Sequence, residues 1–269
     1  MQQNIKENFR DDFEEEPGES LAGQQKEAFD LARDKILHQY RERKGIGTLG
    51  EKNLHAILKH YIEPKEEYHE QRLDSFVADI FKEGEVWEIQ TRSFDKLRKK
   101  LASFLDRHRV TIVYPLPRVK WLIWLDQETG EATKKRKSPK LGSAYDCFHE
   151  LYKIKSMLSH PNLNLRIVLL DVEEYRYLNG WDQAKKRGSS RCDRIPLAIG
   201  EEVHIAGVGD YQKLIPPALI RGFTTKDFSK AAKISPAKAG LALNVLRHLG
   251  AVEAVGKSGN AILYSRVED

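Results

Sequence analysis

The stretch LDSFVADIFKEGEVWEIQ, residues 73–90, decides how the rest of the chain reads. Apolar and polar residues alternate on both sides of Glu83-Gly84, the period of two that a half-buried strand requires, and a Gly-containing two-residue loop between such runs signals a hairpin. With an even loop centred there, Phe81 faces Val86, Ile80 faces Trp87, and Asp79 lies opposite Glu88. Opposed residues share a face, with Cβ atoms about 4.5–5.5 Å apart. One face then gathers Phe76, Ala78, Ile80, Trp87 and Ile89, while the other gathers Asp79, Glu88 and Gln90. A slip of one residue would turn both acids into the apolar layer, so the pattern sets the register. Asp74 falls on the opposite face from Asp79 and reaches the acids only through a bulge or from the start of the strand.

Outward from the hairpin, helical spacing of apolar residues predicts a helix over residues 24–43 through Phe29, Leu31, Ile36, Leu37 and Tyr40, interrupted by Gly45 and Gly47. A second helix over 49–62 carries Leu54, Ile57, Leu58 and Tyr61 and stops before Pro64. After the hairpin, Leu97, Leu101, Phe104 and Leu105 form the inward stripe of a helix over 94–107. Two strands, 110–114 and 121–125, a helix around 144–158 and an apolar strand over 165–172 complete a mixed α/β layer. Residues 179–194 read as irregular and basic, and a boundary is expected near residue 210. The organisation expected is an acidic mobile segment over 1–23, an α/β domain over 24–210 and a smaller domain over 211–269. There is no repeat at a fixed period.

Composition narrows the function classes. The 269 residues are 40% hydrophobic, enough for one substantial core and a smaller second one, and the net charge is +5. The charge is uneven: acids dominate the first nineteen residues, whereas Lys134-Lys135-Arg136-Lys137 and Lys185-Lys186-Arg187 are concentrated positive charge. Cys147 and Cys192 make no disulfide framework, no apolar run nears the roughly 20 residues of a membrane span, and the amino terminus has no signal-peptide core. A soluble cytoplasmic protein without a membrane partner is the expectation. A Gly-rich phosphate loop, a nucleophile elbow and a zinc-spaced Cys/His cluster are all lacking, which argues against the common small-molecule enzymes.

Two carboxylates as close as Asp79 and Glu88 raise one another's proton affinity, and bound Mg²⁺ or Mn²⁺ relieves that repulsion while activating water and polarising a phosphodiester. An acid late in one strand, then E-x-K or a variant at the end of the next, flanked by helices, resembles the PD-(D/E)xK nuclease superfamily over residues 49–125. The resemblance implies a restriction-endonuclease-like fold, Mg²⁺ or Mn²⁺ at Asp79 and Glu88 with Glu51 or Asp74 as further ligands, and phosphodiester hydrolysis. Glu51 enters because many members carry a glutamate on the helix before the hairpin; its spacing to Leu54 and Leu58 puts it on the inward stripe, and His55 shares that face. Where the superfamily has lysine, this chain has Gln90, which would position water or substrate. Lys96 and Lys100, one turn apart on the next helix, are candidates for a displaced lysine. His55 and His69 otherwise read as polar packing, and Lys96 and Lys100 as a solvated helix face.

The carboxyl-terminal residues 223–264 read as two helices and a ribbon. Thr224 or Thr225 caps the first helix, Ser235-Pro236 opens the second, Gly250 closes it, and a turn over 256–260 joins two strands. This order resembles a winged helix-turn-helix, which implies that Lys238, Asn244, Arg247 and Lys257 face DNA. Ala237, Ala239, Gly240 and Ala242 on the same helix offer little base readout. The function expected is a metal-dependent DNA nuclease with a winged-helix module; the alternative is a catalytically inactive nuclease-fold protein that binds DNA or regulates. DNA is the expected partner, and a homodimer stays open.

Overall fold

The computed structural model of the chain describes residues 21–43, 52–126, 129, 131–177 and 190–267. The acidic segment up to residue 20, Glu51 and the Lys185–Arg187 run lie outside the described residues.

A helical hairpin comes first, α1 (Leu21–Arg43) and α2 (Lys52–Ile62). Then follow β1 (His69–Leu73), β2 (Phe76–Lys82) and β3 (Glu85–Ile89). A 3-10 turn over Phe94–Leu97 leads into α3 (Arg98–Leu105) and the long strand β4 (Arg109–Leu125). After the short β5 (Arg136–Lys137) come α4 (Phe148–Lys153), β6 (Leu163–Tyr177) and β7 (Ser190–Ile205). The chain ends with α5 (Thr225–Ala231), α6 (Pro236–His248), β8 (Val252–Ser258) and β9 (Ala261–Arg266).

Among the described residues one mixed sheet runs β1-β2-β3-β4-β6-β7, with β5 on the β4 edge. β1, β2 and β3 are antiparallel, β3, β4 and β6 parallel, and β7 returns antiparallel. Helices cover both faces, as parallel strands require. On one face Phe29, Ile36, Leu54, Ile57 and Leu58 of α1 and α2 pack on Ile80, Ile89, Val113, Val168 and Leu170. On the other, Leu101, Phe104, Phe148 and Leu151 of α3 and α4 pack on Val86, Val110, Ile112 and Leu165. Leu31, expected on the inward stripe of α1, is exposed instead.

The hairpin has the expected register, Ile80↔Trp87, Phe81↔Val86 and Lys82↔Glu85, but not the expected single apolar face: Ile80, Trp87 and Ile89 pack with α1 and α2, whereas Phe76, Ala78 and Val86 pack with α3 and α4. Its turn residues Glu83 and Gly84 both have positive φ, 52° and 83°, the two left-handed positions of a tight hairpin turn. Four strands differ from expectation, the first being β5, which lies in the stretch 134–140 that reads as a basic loop. β1 was not anticipated, because HEQRL has no apolar alternation. The two strands expected over 110–114 and 121–125 are one, despite Pro115 and Pro117. Val113 accepts from Gln90 on the β3 edge, and Pro115 and Pro117 have the same parity, so their missing N–H groups fall on the edge that β3 has already left. A register shift between Pro117 and Val119 absorbs the rest. β7 occupies part of the stretch expected to be irregular, and β6 runs on to Tyr177 beside it.

The unit after residue 210 is α5, α6 and the two-stranded sheet β8-β9. Thr224 caps α5 in a reciprocal pair with Asp227, and Ser235 caps α6 ahead of Pro236. Gly250, at φ 72°, takes the left-handed position that ends α6. α6 packs against α4, and Tyr211, Phe223, Phe228 and Leu243 share one continuous buried cluster with Phe148 and Leu151.

Candidate active site

The site forms where β2 and β3 part. Beyond Ile80↔Trp87 the backbone pairing gives way to a side chain, as Ile89 N–H donates to Asp79 Oδ2 at 2.7 Å. From the α2 side His55 Nε2 stands 3.0 Å from the same oxygen. From the α3 side Lys100 Nζ reaches Glu88 Oε2 at 2.6 Å. Glu88 Oε1 has only a long contact to the Asp79 amide, 3.4 Å, which leaves that oxygen weakly engaged.

Both acids are removed from water: the side chain of Asp79 is 16% exposed and that of Glu88 3%. Burial and then the neighbouring Asp79 charge push the Glu88 carboxyl up to about 7, against the pull of Lys100. Burial also works to raise Asp79, but the His55 hydrogen bond and charge, the Ile89 N–H and Lys100 together hold it below the ordinary carboxylate range. The pair is therefore split, with Asp79 the standing anion and Glu88 the member whose charge is finely balanced.

Lys100, of the two candidates for a displaced lysine, joins the acids. It borders the buried stripe of α3, three residues after Leu97 and four before Phe104, and its ammonium stands 5.9 Å from the Phe104 ring centre. Lys96 lies in the preceding 3-10 turn, exposed, without a side-chain partner among the described residues. Gln90 turns away: its amide donates to the carbonyls of Arg92 and Ser93, so it braces the loop after β3. Asp74 is also elsewhere, exposed and paired with Arg107 at 3.3 Å. Among the described residues no group of three or more His, Cys, Asp and Glu is arranged to hold a metal ion. His55 is the neighbour of Asp79 that sequence reading reduced to packing; its signal was the face it shares with Leu54 and Leu58. His69 is packing, bonded to the Glu63 carbonyl at 2.7 Å and edge-on to His60.

Of the residues expected to face DNA, Lys238 is ion-paired with Asp146, and Asn244 Oδ1 accepts from Lys155 Nζ at 3.0 Å. Both thus bind the α/β body. Arg247 and Lys257 are exposed.

Fold and site define an α/β protein with a buried carboxylate pair and one lysine at the carboxyl end of a parallel strand. Residues 52–206, more than half of the chain, match the family described as Domain of unknown function (DUF8091), and the chain belongs to that family. A protein of Treponema pallidum (strain Nichols), described as "Uncharacterized protein", is 27% identical over 222 residues, which cover 82% of this chain and 87% of the relative. No solved structure gives a significant match. None of the described helices is long and apolar enough to cross a membrane.

Proposed function

We propose that the protein is a metal-dependent nuclease with a restriction-endonuclease-like core, acting on DNA, and that its carboxyl-terminal unit serves as a winged helix. The observation that carries the reading is the ion pair of Lys100 with Glu88, 2.6 Å, beside Asp79. It supplies from α3 the cation that Gln90 does not supply from β3. The donor chemistry fits a hard divalent ion: two adjacent carboxylates, one of them held back from ionising by burial and by its neighbour, have what Mg²⁺ or Mn²⁺ needs. Asp79 and Glu88 would hold the ion, which when bound polarises a phosphodiester and lowers the pKa of water. His55 fixes the Asp79 carboxylate, and Lys100, released from Glu88, presents an ammonium to the charge that develops on phosphate oxygens.

The test is cleavage of plasmid DNA by the full chain with Mg²⁺ or Mn²⁺. Glu88→Gln should abolish the cut, and Lys100→Met should slow it by about 10²-fold or more. Undiminished cleavage in Glu88→Gln, with its fold intact, defeats the assignment. A second reading, a binding or regulatory protein that has kept the shape without the chemistry, draws on Gln90 in place of lysine. It predicts DNA binding that is indifferent to Mn²⁺.

A further inference from the structure

β5 lies on the same edge of β4 that β3 occupies in the core, since the other edge is taken by β6. Ile89, beside the acids, pairs with Val113, and Lys137 pairs with Trp121, eight residues farther along the same strand. At roughly 3.3 Å per residue the separation along β4 is about 26 Å. The chain then returns toward the site: Ser138 N–H donates to the Lys120 carbonyl at 2.8 Å and Gly142 N–H to the Arg118 carbonyl at 2.9 Å. Site and basic segment therefore stand in line on one edge, beyond the carboxyl end of β3, where open α/β sheets receive ligands.

The charge on this edge faces outward. Lys134, Arg136, Lys137 and Lys140 are exposed and make no ion pair among the described residues, whereas Lys135 is paired with Glu173 at 2.5 Å. Trp121 holds two of the lysines in place, with the ammonium groups of Lys135 and Lys137 at 5.1 and 5.9 Å from its ring centre. A ring already engaged by two cations is a poor stacking platform for a base. What remains is a set of exposed positive charges on both faces of the edge, Arg136 opposite Leu122 and Lys137 opposite Trp121, a chemistry suited to phosphates.

We propose that this edge is a track for the nucleic-acid backbone, in which Lys134, Arg136, Lys137 and Lys140 grip phosphates of the strand that passes Asp79 and Glu88. The 26 Å span corresponds to about seven or eight base pairs of duplex at roughly 3.4 Å of helix axis each. The track rests on the nuclease reading for what happens at its far end; the grip itself does not.

The two parts are separated by measuring binding without metal. The full chain in chelator is titrated against a fluorescent 30-base-pair DNA duplex of arbitrary sequence over a range of salt concentrations. Wild type should bind with a steep salt dependence. The triple variant Lys134→Gln, Arg136→Gln, Lys137→Gln should lose at least tenfold in affinity at low salt, with a log–log salt slope shallower by about two to three. Should the triple variant unfold, Lys140→Gln alone should flatten the slope by about one. Wild type that fails to bind the duplex, or variants with unchanged affinity and slope, overturn the track. Wild type that binds through these residues but cuts nothing with Mn²⁺ supports the track and removes the nuclease reading.

Discussion

The amide of Ile89 donates to the carboxylate of Asp79, 2.7 Å away, where a continuing β2–β3 ladder would have given it a backbone carbonyl. An acidic side chain has become part of the sheet's own bonding, so its position is set by the strand and not by rotamer preference alone. The same carboxylate receives His55, which ties α2 to this point.

Two substitutions at Asp79 should therefore behave differently. Asp79→Asn keeps an acceptor for Ile89 and should melt close to wild type while losing Mn²⁺ affinity in calorimetry. Asp79→Ala leaves a buried N–H without a partner and should lower stability by about 1–3 kcal/mol in chemical denaturation. Equal stability of the two variants would contradict the bonding role.

Metal binding should follow the ionisation of Glu88. With its carboxyl pushed up to about 7, Mn²⁺ affinity should rise with pH through that region and level off above it. Lys100 pulls the Glu88 value down, so Lys100→Met should move the midpoint to higher pH. Calorimetric titrations at several pH values read both, and a midpoint unmoved in Lys100→Met counts against the coupling.

The same group makes a prediction for stability in the absence of metal. The carboxyl of Glu88 binds its proton more tightly folded than unfolded, so it favours the native state least at pH above about 7, and the deficit shrinks as pH falls toward 4.5. Glu88→Gln should accordingly gain stability relative to wild type at pH 8 and lose that advantage by pH 5. Thermal melts at the two pH values decide it.

Gly142 is the residue on the β4 edge that cannot acquire a side chain. A Cβ there would fall 2.0 Å from the Pro117 carbonyl oxygen, so the backbone itself must move. Gly142→Ala should lower stability by about 1–3 kcal/mol and quicken proteolysis among Lys134–Lys140.

The hairpin was legible because two signals agreed, a Glu-Gly turn and strict alternation, and the register they set is the one found. Lys100 was one of two equal candidates in the sequence, since choosing it over Lys96 requires knowing that a 3-10 turn precedes α3 and changes the rotation. The continuity of β4 was hidden by Pro115 and Pro117, whose effect depends on a neighbour that ends at Ile89. β1 and β7 were missed for another reason: HEQRL and the polar, Pro- and Gly-containing run of β7 gain their strand form from pairing, not from pattern. Glu51, expected from the family resemblance and the helix spacing to join the acids, lies outside the described residues.

β4 runs as one strand from the core beside Glu88 to the basic residues of β5. In mechanical terms it is a beam to which both the β3 edge and the basic segment are fastened. Its weakest cross-section is the register shift at Pro117 and Val119, and there the returning chain is bonded to it, Gly142 N–H to the Arg118 carbonyl, as a brace against buckling.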